Sequence, residues 1–420
     1  MDRVACHTGE GSPRRATARR PLAPKPARSG PARPTGETPG GPAPGKLTRM
    51  RTRPTLAYSL AFLLAGCAAA GPSGPGGPAS APPVAGAPAG APQASPGADL
   101  ALPGERHLRN VRQLTFGGEN AEGYFSFDGE RIVYQATGRG EGCDALWIMN
   151  ADGSGKARVS TGKGRVTCGY FFPGDRRVVY ASTHETGPEC PEKPDMSQGY
   201  VWKLDDFQLY TANPDGSDLR PLAPAPGAYT AEATVSRDGW IVFTSTRDGD
   251  LELYKMRLDG SGLVRLTHEK GYDGGAFFSA DGTRIVYRAS RPATPREVSD
   301  YDALLARKRV RPSRLEIFVM DADGSNVRQV TRLGAGSFAP FFHPDGRRIV
   351  FASNHGDPRG RNFDLYLVND DGTGLERVTT SDVFDGFPMF SPDGKRLVFA
   401  SNRNAERPGE TNLFIADWVE

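Results

Sequence analysis

The chain is poor in the residues from which catalytic and metal centres are usually built. It has 5 cysteines and 6 histidines in 420 residues. Five of those histidines, His107, His184, His268, His343 and His355, are scattered among different stretches. No Gly-x-Ser-x-Gly elbow stands between a strand and a helix, and no Walker-type glycine loop occurs, so neither hydrolase nor nucleotide chemistry is signalled. Long apolar runs are missing too: the longest, Leu56 to Ala65, is too short for a lasting membrane span. Excess positive charge is also lacking where it would count. The formal charge is +3, but residues 1–67 hold 12 basic and 3 acidic residues, leaving 40 against 46 in the remainder, a net −6. Nucleic acid is therefore not an expected partner, since a phosphate-binding surface concentrates basic residues.

What the chain has in quantity is turn chemistry, with 52 glycines and 36 prolines. Ser391-Pro392-Asp393-Gly394 leads into the β-branched and aromatic run Arg396-Leu397-Val398-Phe399. Proline presets its own φ, aspartate bonds its own backbone and glycine accepts φ > 0, so the chain reverses into a strand. The same cassette recurs at Asp128-Gly129, Asp238-Gly239, Asp281-Gly282 and Asp345-Gly346, with an inverted copy at Pro173-Gly174-Asp175. A further strand follows in each unit, as in Leu146-Trp147-Ile148-Met149. An Asp-Gly hairpin signal then leads to a last strand such as Leu263-Val264-Arg265-Leu266-Thr267. Six units of roughly 40 to 45 residues with four strands each predict an all-β fold, a six-bladed β-propeller of four-stranded antiparallel blades.

The last unit stops at Glu420, short of its fourth strand. Asn110-Val111-Arg112-Gln113-Leu114-Thr115 repeats the motif of Asn326-Val327-Arg328-Gln329-Val330-Thr331 and precedes the first unit. The N-terminal strand is thus expected to complete the last blade and remove the open sheet edges.

Ahead of the propeller, read as 108–420, the chain changes character. Residues 1–49 are Pro-, Gly-, Ala- and Arg-rich, too polar to fold, and read as disordered and untranslated, with Met50 as the start. Residues 50–67 have the layout of a secretory signal: a basic head, an apolar run and small residues before Cys67. Leu64-Ala65-Gly66-Cys67 resembles the bacterial lipobox, which implies acylation of Cys67. Residues 68–107 read as a Pro/Gly/Ala-rich tether, whose 68–99 portion reaches up to roughly 100 Å when extended. With Ala68 after the cysteine, the resemblance favours the periplasmic side of the outer membrane.

Spacing between the turn columns shows units two and four to be longer than the rest by about 20 residues, at His184 to Asp206 and Arg291 to Arg314. Both insertions fall between second and third strands, on the face opposite the Pro-Asp-Gly turns, and insertions gathered on one face mark a binding face. Leading into the innermost strands on this side are Glu122, Cys168 and Glu232 in one column and Asn120, Asp273 and Asp385 in another. These are candidate ring residues at the channel mouth, where carboxylates could hold a cation or a basic peptide. Tyr229, Tyr272 and Phe384 are candidate contact aromatics. Cys143, Cys168 and Cys190 map to the same face, with one disulfide and one free thiol expected and the pairing open. No cofactor is firmly implied; calcium or zinc at the acids is the metal reading left open, the cysteine spacing lacking a zinc pattern.

The repeated Ser-Pro-Asp-Gly-x-x-Ile/Leu-Val-Phe/Tyr cassette, followed by Leu-Tyr-x-Met and Leu-Thr, resembles the WD-like repeats of the TolB family over residues 108–420. The resemblance implies a periplasmic propeller scaffold, here as a lipoprotein-type variant without the TolB N-terminal domain. The reading is a monomeric, tethered binding module for an envelope protein, peptide or glycan rather than an enzyme. The alternative is a metal-dependent propeller lyase or lactonase. Lipidation of Cys67 should leave residues 1–66 absent from the mature protein, as judged by mass spectrometry of the membrane fraction. An intact peptide spanning Gly66 and Cys67 in that fraction would contradict it.

Overall fold

The computed structural model describes residues 99–420 except 139–141, 193, 196–198 and 313. The stretches read as signal and, for the most part, as tether, with Cys67, lie outside the described residues. Strand β1 (Leu108–Gln113) comes first. Blade one follows with β2 (Glu119–Phe125), β3 (Arg131–Thr137), β4 (Ala145–Asn150) and β5 (Ala157–Arg158). Blade two has β6 (Val166–Phe171), β7 (Val178–Ser182), the excursion β8 (Trp202–Lys203), then β9 (Gln208–Ala212) and β10 (Arg220–Leu222). Blade three has β11 (Thr230–Val235), β12 (Trp240–Ser245), β13 (Glu252–Arg257) and β14 (Val264–Arg265). Blade four has β15 (Asp273–Phe278), β16 (Arg284–Ala289), helix α1 (Pro295–Leu305), the excursion β17 (Arg309–Val310), β18 (Glu316–Asp321) and β19 (Arg328–Gln329). Blade five has β20 (Ser337–Phe342), β21 (Arg348–Ser353), β22 (Asp364–Asn369) and β23 (Glu376–Arg377). Blade six runs β24 (Asp385–Phe390), β25 (Arg396–Ser401) and β26 (Asn412–Trp418), and β1 supplies its fourth strand.

Six antiparallel four-stranded blades therefore form the propeller that the repeat predicts. Its closure is antiparallel, with Leu108 opposite Trp418 and Gln113 opposite Phe414. The Leu-Thr motif explains why β1 fits. In blades three, four and five the threonine hydroxyl accepts the amide of the third strand's second residue, as at Thr267, Thr331 and Thr379, each at 2.9 Å. Thr115 does the same for Leu413 at 2.8 Å, although almost 300 residues separate them in sequence. The described chain begins within the stretch read as tether: Asp99 accepts the Asn110 and Val111 amides at 3.0 and 2.8 Å, satisfying the bulge in β1.

The turns follow their chemistry. The serine hydroxyls of Ser126, Ser236, Ser279 and Ser391 each bond the aspartate two residues on, at 2.5–2.6 Å. In the inverted copy Asp175 points elsewhere, accepting the Phe127 and Asp128 amides of blade one at 2.8 and 2.9 Å. Arginines that open second strands bridge blades as well. Arg131 lies over Phe171, Arg284 over Phe342 and Arg396 over Phe125, all 5.1–5.2 Å from the ring centres. Each guanidinium covers an aromatic of the next blade while donating to a carbonyl of that blade's turn.

The two long insertions meet. Lys203 pairs with Arg309 and Trp202 with Val310, joining β8 and β17 into a ribbon that links blades two and four past blade three. Blade three permits this because its own second-to-third-strand connection spans only residues 246–251. Helix α1 starts at a capping box of Thr294 and Glu297 with Pro295 in its first turn, and its buried Tyr301 donates to Asp250. Leu204, Tyr301, Val310 and Leu315 then pack on Leu251 and Tyr272, making ribbon and helix a fixed cap on that face.

Removing residues 108–115 would expose a sheet edge and take away the buried side chains of Leu108, Val111 and Leu114, all at most 3% exposed. At about 1.5–3 kcal/mol for each buried aliphatic side chain the loss approaches a whole domain's margin. Deleting residues 108–115 should thus lower the melting temperature sharply and cause aggregation, whereas deleting residues 68–97 should do neither. Equal melting temperatures for the two truncations would refute closure by β1.

Candidate functional site at the capped mouth of the channel

Every innermost strand carries a bulge at the same place. The pairing register shifts between Ala121 and Tyr124, Thr167 and Tyr170, Ala231 and Thr234, Gly274 and Phe277, Phe338 and Phe341, and Gly386 and Met389. At each bulge one residue adopts a positive φ of 50–59°: Glu122, Cys168, Glu232, Gly275, Ala339 and Phe387. Such a conformation costs a non-glycine residue about 1 kcal/mol or more and persists because the surrounding sheet enforces it. Bulges of this kind re-aim side chains, and here they produce one ring of six positions at the capped end of the channel.

Two residues further along lies a second ring: Tyr124, Tyr170, Thr234, Phe277, Phe341 and Met389. Its aromatics meet in the middle. Tyr124 of blade one and Phe277 of blade four, opposite blades, have centroids 5.4 Å apart, and Phe277 stands 6.2 Å from Tyr170 and 5.4 Å from Phe341. The second ring is thus a packed plug, and the first ring is the floor of a blind mouth. On the short-turn side of the plug a separate apolar depression is lined by Phe127, Arg237, Pro344 and Pro392, among others.

The floor has two unlike halves. In blades one to four it is polar. Glu232 accepts the Thr244 hydroxyl at 2.7 Å, the Gly275 amide at 2.8 Å and the Tyr272 hydroxyl at 2.8 Å, and it is paired with Arg288. Gly275 leaves room for that arginine, since a Cβ there would collide with the guanidinium. Trp202 from the cap stands 5.2 Å from the Arg288 guanidinium and 6.0 Å, edge-on, from Tyr272. Cys168 is a free, half-buried thiol, and burial and the neighbouring Glu122 and Glu232 charges push its pKa well up, which makes it a poor nucleophile. Glu122 is pushed up to about 7, because burial costs the charged form more than the neighbouring Cys168 thiol returns, and Glu232 adds repulsion. Its Oε2 is sealed from water with no hydrogen bond. In blades five and six the rim is aromatic: Phe338 lies 5.1 Å from Phe363, 5.3 Å from Phe387 and 6.4 Å from Phe384, and all four rings are half-buried.

The sequence candidates divide accordingly. Glu122, Glu232 and Cys168 belong to one ring, and Phe384 to the aromatic wall. Tyr272 is 2% exposed and serves Glu232 rather than solvent, while Tyr229 is half-buried, edge-on to Phe207 at 6.0 Å. Asn120, Asp273 and Asp385 are buried where blades join. Asn120 donates to the carbonyls of Gly117 and Thr411 at 2.9 and 3.0 Å. Asp273 pairs with Arg291 at 2.6 Å; Asp385 pairs with Arg403 at 3.1 Å, and Arg403 also binds Glu105 at 2.8 Å, ahead of the closing strand. Cys143 and Cys190 form a disulfide with Cα atoms 5.5 Å apart, tying the second-to-third-strand connection of blade one to the insertion of blade two. Among the described residues no three His, Cys, Asp or Glu side chains converge as metal ligands, and no helix is long and apolar enough to cross a membrane. Sequence reasoning missed Arg288, Trp202, Phe338, Phe363 and Phe387. Extending the Glu122 column through all six units would have found Phe387, and the glycine at position 275 would have flagged an intruding side chain.

Glu122 makes stability depend on pH in a definite direction. Its folded pKa of about 7 lies above the ordinary 4.5, so the folded protein holds a proton that the unfolded chain releases between those values. Stability falls as pH rises through that window, by about 3 kcal/mol at most and less where channel water screens the charge. Glu122→Gln should therefore gain melting temperature relative to wild type between pH 5 and pH 8; a difference that is flat in pH would count against a buried acid at this position.

No family model matches the chain. Among curated proteins it is 28% identical over 189 residues to an uncharacterised protein of Agrobacterium fabrum, covering 41% of this chain and 58% of that one. It is 27% identical over 179 residues to a TolB homolog of Chlorobium luteolum, covering 36% and 41%. The chain thus spans about half the length of the curated relatives it matches. Among solved structures, a protein assigned as TolB from Agrobacterium tumefaciens superposes with a TM-score of 0.50 at 20% identity, over 72% of this chain and 91% of that one. TolB from Acinetobacter baumannii gives 0.51 at 17%, over 70% and 65%. Sequence repeat, blade count and these likenesses agree: the chain folds as a six-bladed β-propeller similar to that of TolB.

Proposed function

We propose that this protein is an exported, lipid-tethered propeller that docks an envelope polypeptide on its capped face. The observation that carries the reading is the asymmetry of the two faces. One has only tight turns around an apolar depression; the other has the disulfide-tied cap, a blind polar floor and a half-buried aromatic wall. Docking is preferred over metal-dependent catalysis because Glu232, Asp273 and Asp385 are already neutralised by arginines of the same chain. Rigid rims with half-buried aromatics suit protein recognition, in which a few aromatic anchors dominate.

A photo-reactive phenylalanine analogue placed at Tyr200, which is 63% exposed on the cap, should cross-link a discrete envelope protein in cells. The same analogue at exposed Lys395 on the short-turn face should not. Cross-linking from position 395 alone would put the docking face on the wrong side.

A further inference from the structure

Of the four acids named at this end of the channel, three have internal counter-ions: Arg288 for Glu232, Arg291 for Asp273 and Arg403 for Asp385. Glu122 has no ion pair of its own among the described residues: the Cys168 thiol bonds it, Arg288 is committed to Glu232 and acts on it only at a distance, Glu232 and Asp144 repel its charge, and its Oε2 is buried without a partner. A carboxylate in that position is costly unless something supplies a positive charge. Next to it around the ring stand Phe387 and Phe384 of blade six, then Phe338 and Phe363 of blade five. Elsewhere the chain habitually lays arginine over its aromatic rings, as Arg131 does over Phe171, Arg396 over Phe125 and Arg403 over Phe399. Among the described residues no arginine or lysine lies over any of the four phenylalanines of the mouth. The acid without an ion pair and the aromatic wall without a cation occupy adjacent blades of the same ring, Glu122 and Phe387 standing at equivalent bulge positions.

A single kind of group satisfies both. An ammonium or guanidinium head pairs with a carboxylate and is attracted to ring faces, and its aliphatic stem packs on apolar surface. A divalent metal fits the site less well, because phenyl rings supply no ligand atoms and no acid triad converges here among the described residues. We propose that the capped mouth receives a lysine or arginine side chain of the partner polypeptide, with its stem against Phe338, Phe384 and Phe387 and its charged head at Glu122. This rests on the docking reading above and narrows it to a basic segment.

The test titrates the full-length protein with end-blocked pentapeptides of glycine carrying a central lysine, norleucine or glutamate, followed by NMR to about 10 mM, where even weak binding registers. The lysine peptide should bind, with norleucine and glutamate at least about ten-fold weaker, since only lysine brings the cation. Glu122→Gln should reduce lysine-peptide affinity about ten-fold and leave norleucine unchanged; Phe387→Leu should weaken lysine by several-fold through the loss of the ring face. Wild-type affinity for the lysine peptide should rise between pH 6 and pH 8 as the carboxyl ionises, and the Glu122→Gln variant should show no such rise. Equal binding of lysine and norleucine, no lysine binding at the top concentration, or indifference to Glu122→Gln in a folded variant would each overturn the proposal. If Tyr200 still cross-links its partner while the lysine peptide fails, the docking face stands and only the basic side chain is lost.

Discussion

The ring has one seam, and the structure depends on how it is held. In five blades all four strands come from one continuous stretch of chain, but blade six joins β24, β25 and β26 to β1, across the full length of the propeller. Closing so long a loop costs entropy once, and in return no blade is left with an unpaired inner neighbour. The seam is secured by more than its ladder. Thr115 bonds Leu413, Arg403 joins Glu105 to Asp385, and His107 stacks on Trp418 at 4.7 Å while its ring nitrogens reach Val419 O and Glu376. These contacts concentrate at the one junction that chain connectivity does not support.

A closed ring lets each blade place an equivalent residue toward the axis, and the bulge makes that placement repeatable. With the backbone solved six times in the same way, the side chain at each position is free to differ. The chain uses that freedom unevenly: four large aromatics in the second ring fill the axis, and two acids, a thiol, a glycine, an alanine and a phenylalanine in the first leave a mouth with a polar side and an aromatic side. The cap adds a further asymmetry, because its ribbon crosses above blade three and presses Trp202 toward the polar side only.

Much of this was legible from residue types and spacing. Pro-Asp-Gly and Asp-Gly cassettes encode local backbone conformations, so their columns mark blades without reference to the rest of the fold. The homology of Asn110 to Thr115 with Asn326 to Thr331 identified the closing strand by the same local logic. The capping box at Thr294 and Glu297 was also present to be read, yet a helix inside an otherwise all-β repeat was not anticipated. The acids were harder. Asn120, Asp273 and Asp385 share a column with each other, and so were grouped as ring residues, but their surroundings are set by arginines 18 residues downstream in two cases, Arg291 and Arg403. Position in a repeat says where a side chain starts, not which charge meets it.

The sequence by itself thus determined the blade number, the order of strands, the closing strand and the face that carries the insertions, because each follows from local turn chemistry repeated at a fixed period. Only the tertiary structure decided that two insertions separated by a whole blade pair as one ribbon, that Cys143 finds Cys190 and leaves Cys168 free, and that Arg288 enters the space above Gly275 to neutralise Glu232. Those outcomes depend on distances across the ring between residues far apart in the chain, and no periodic pattern encodes such distances. For the same reason Glu122 emerged as the acid without an ion pair only once the arginines of the described residues had been placed.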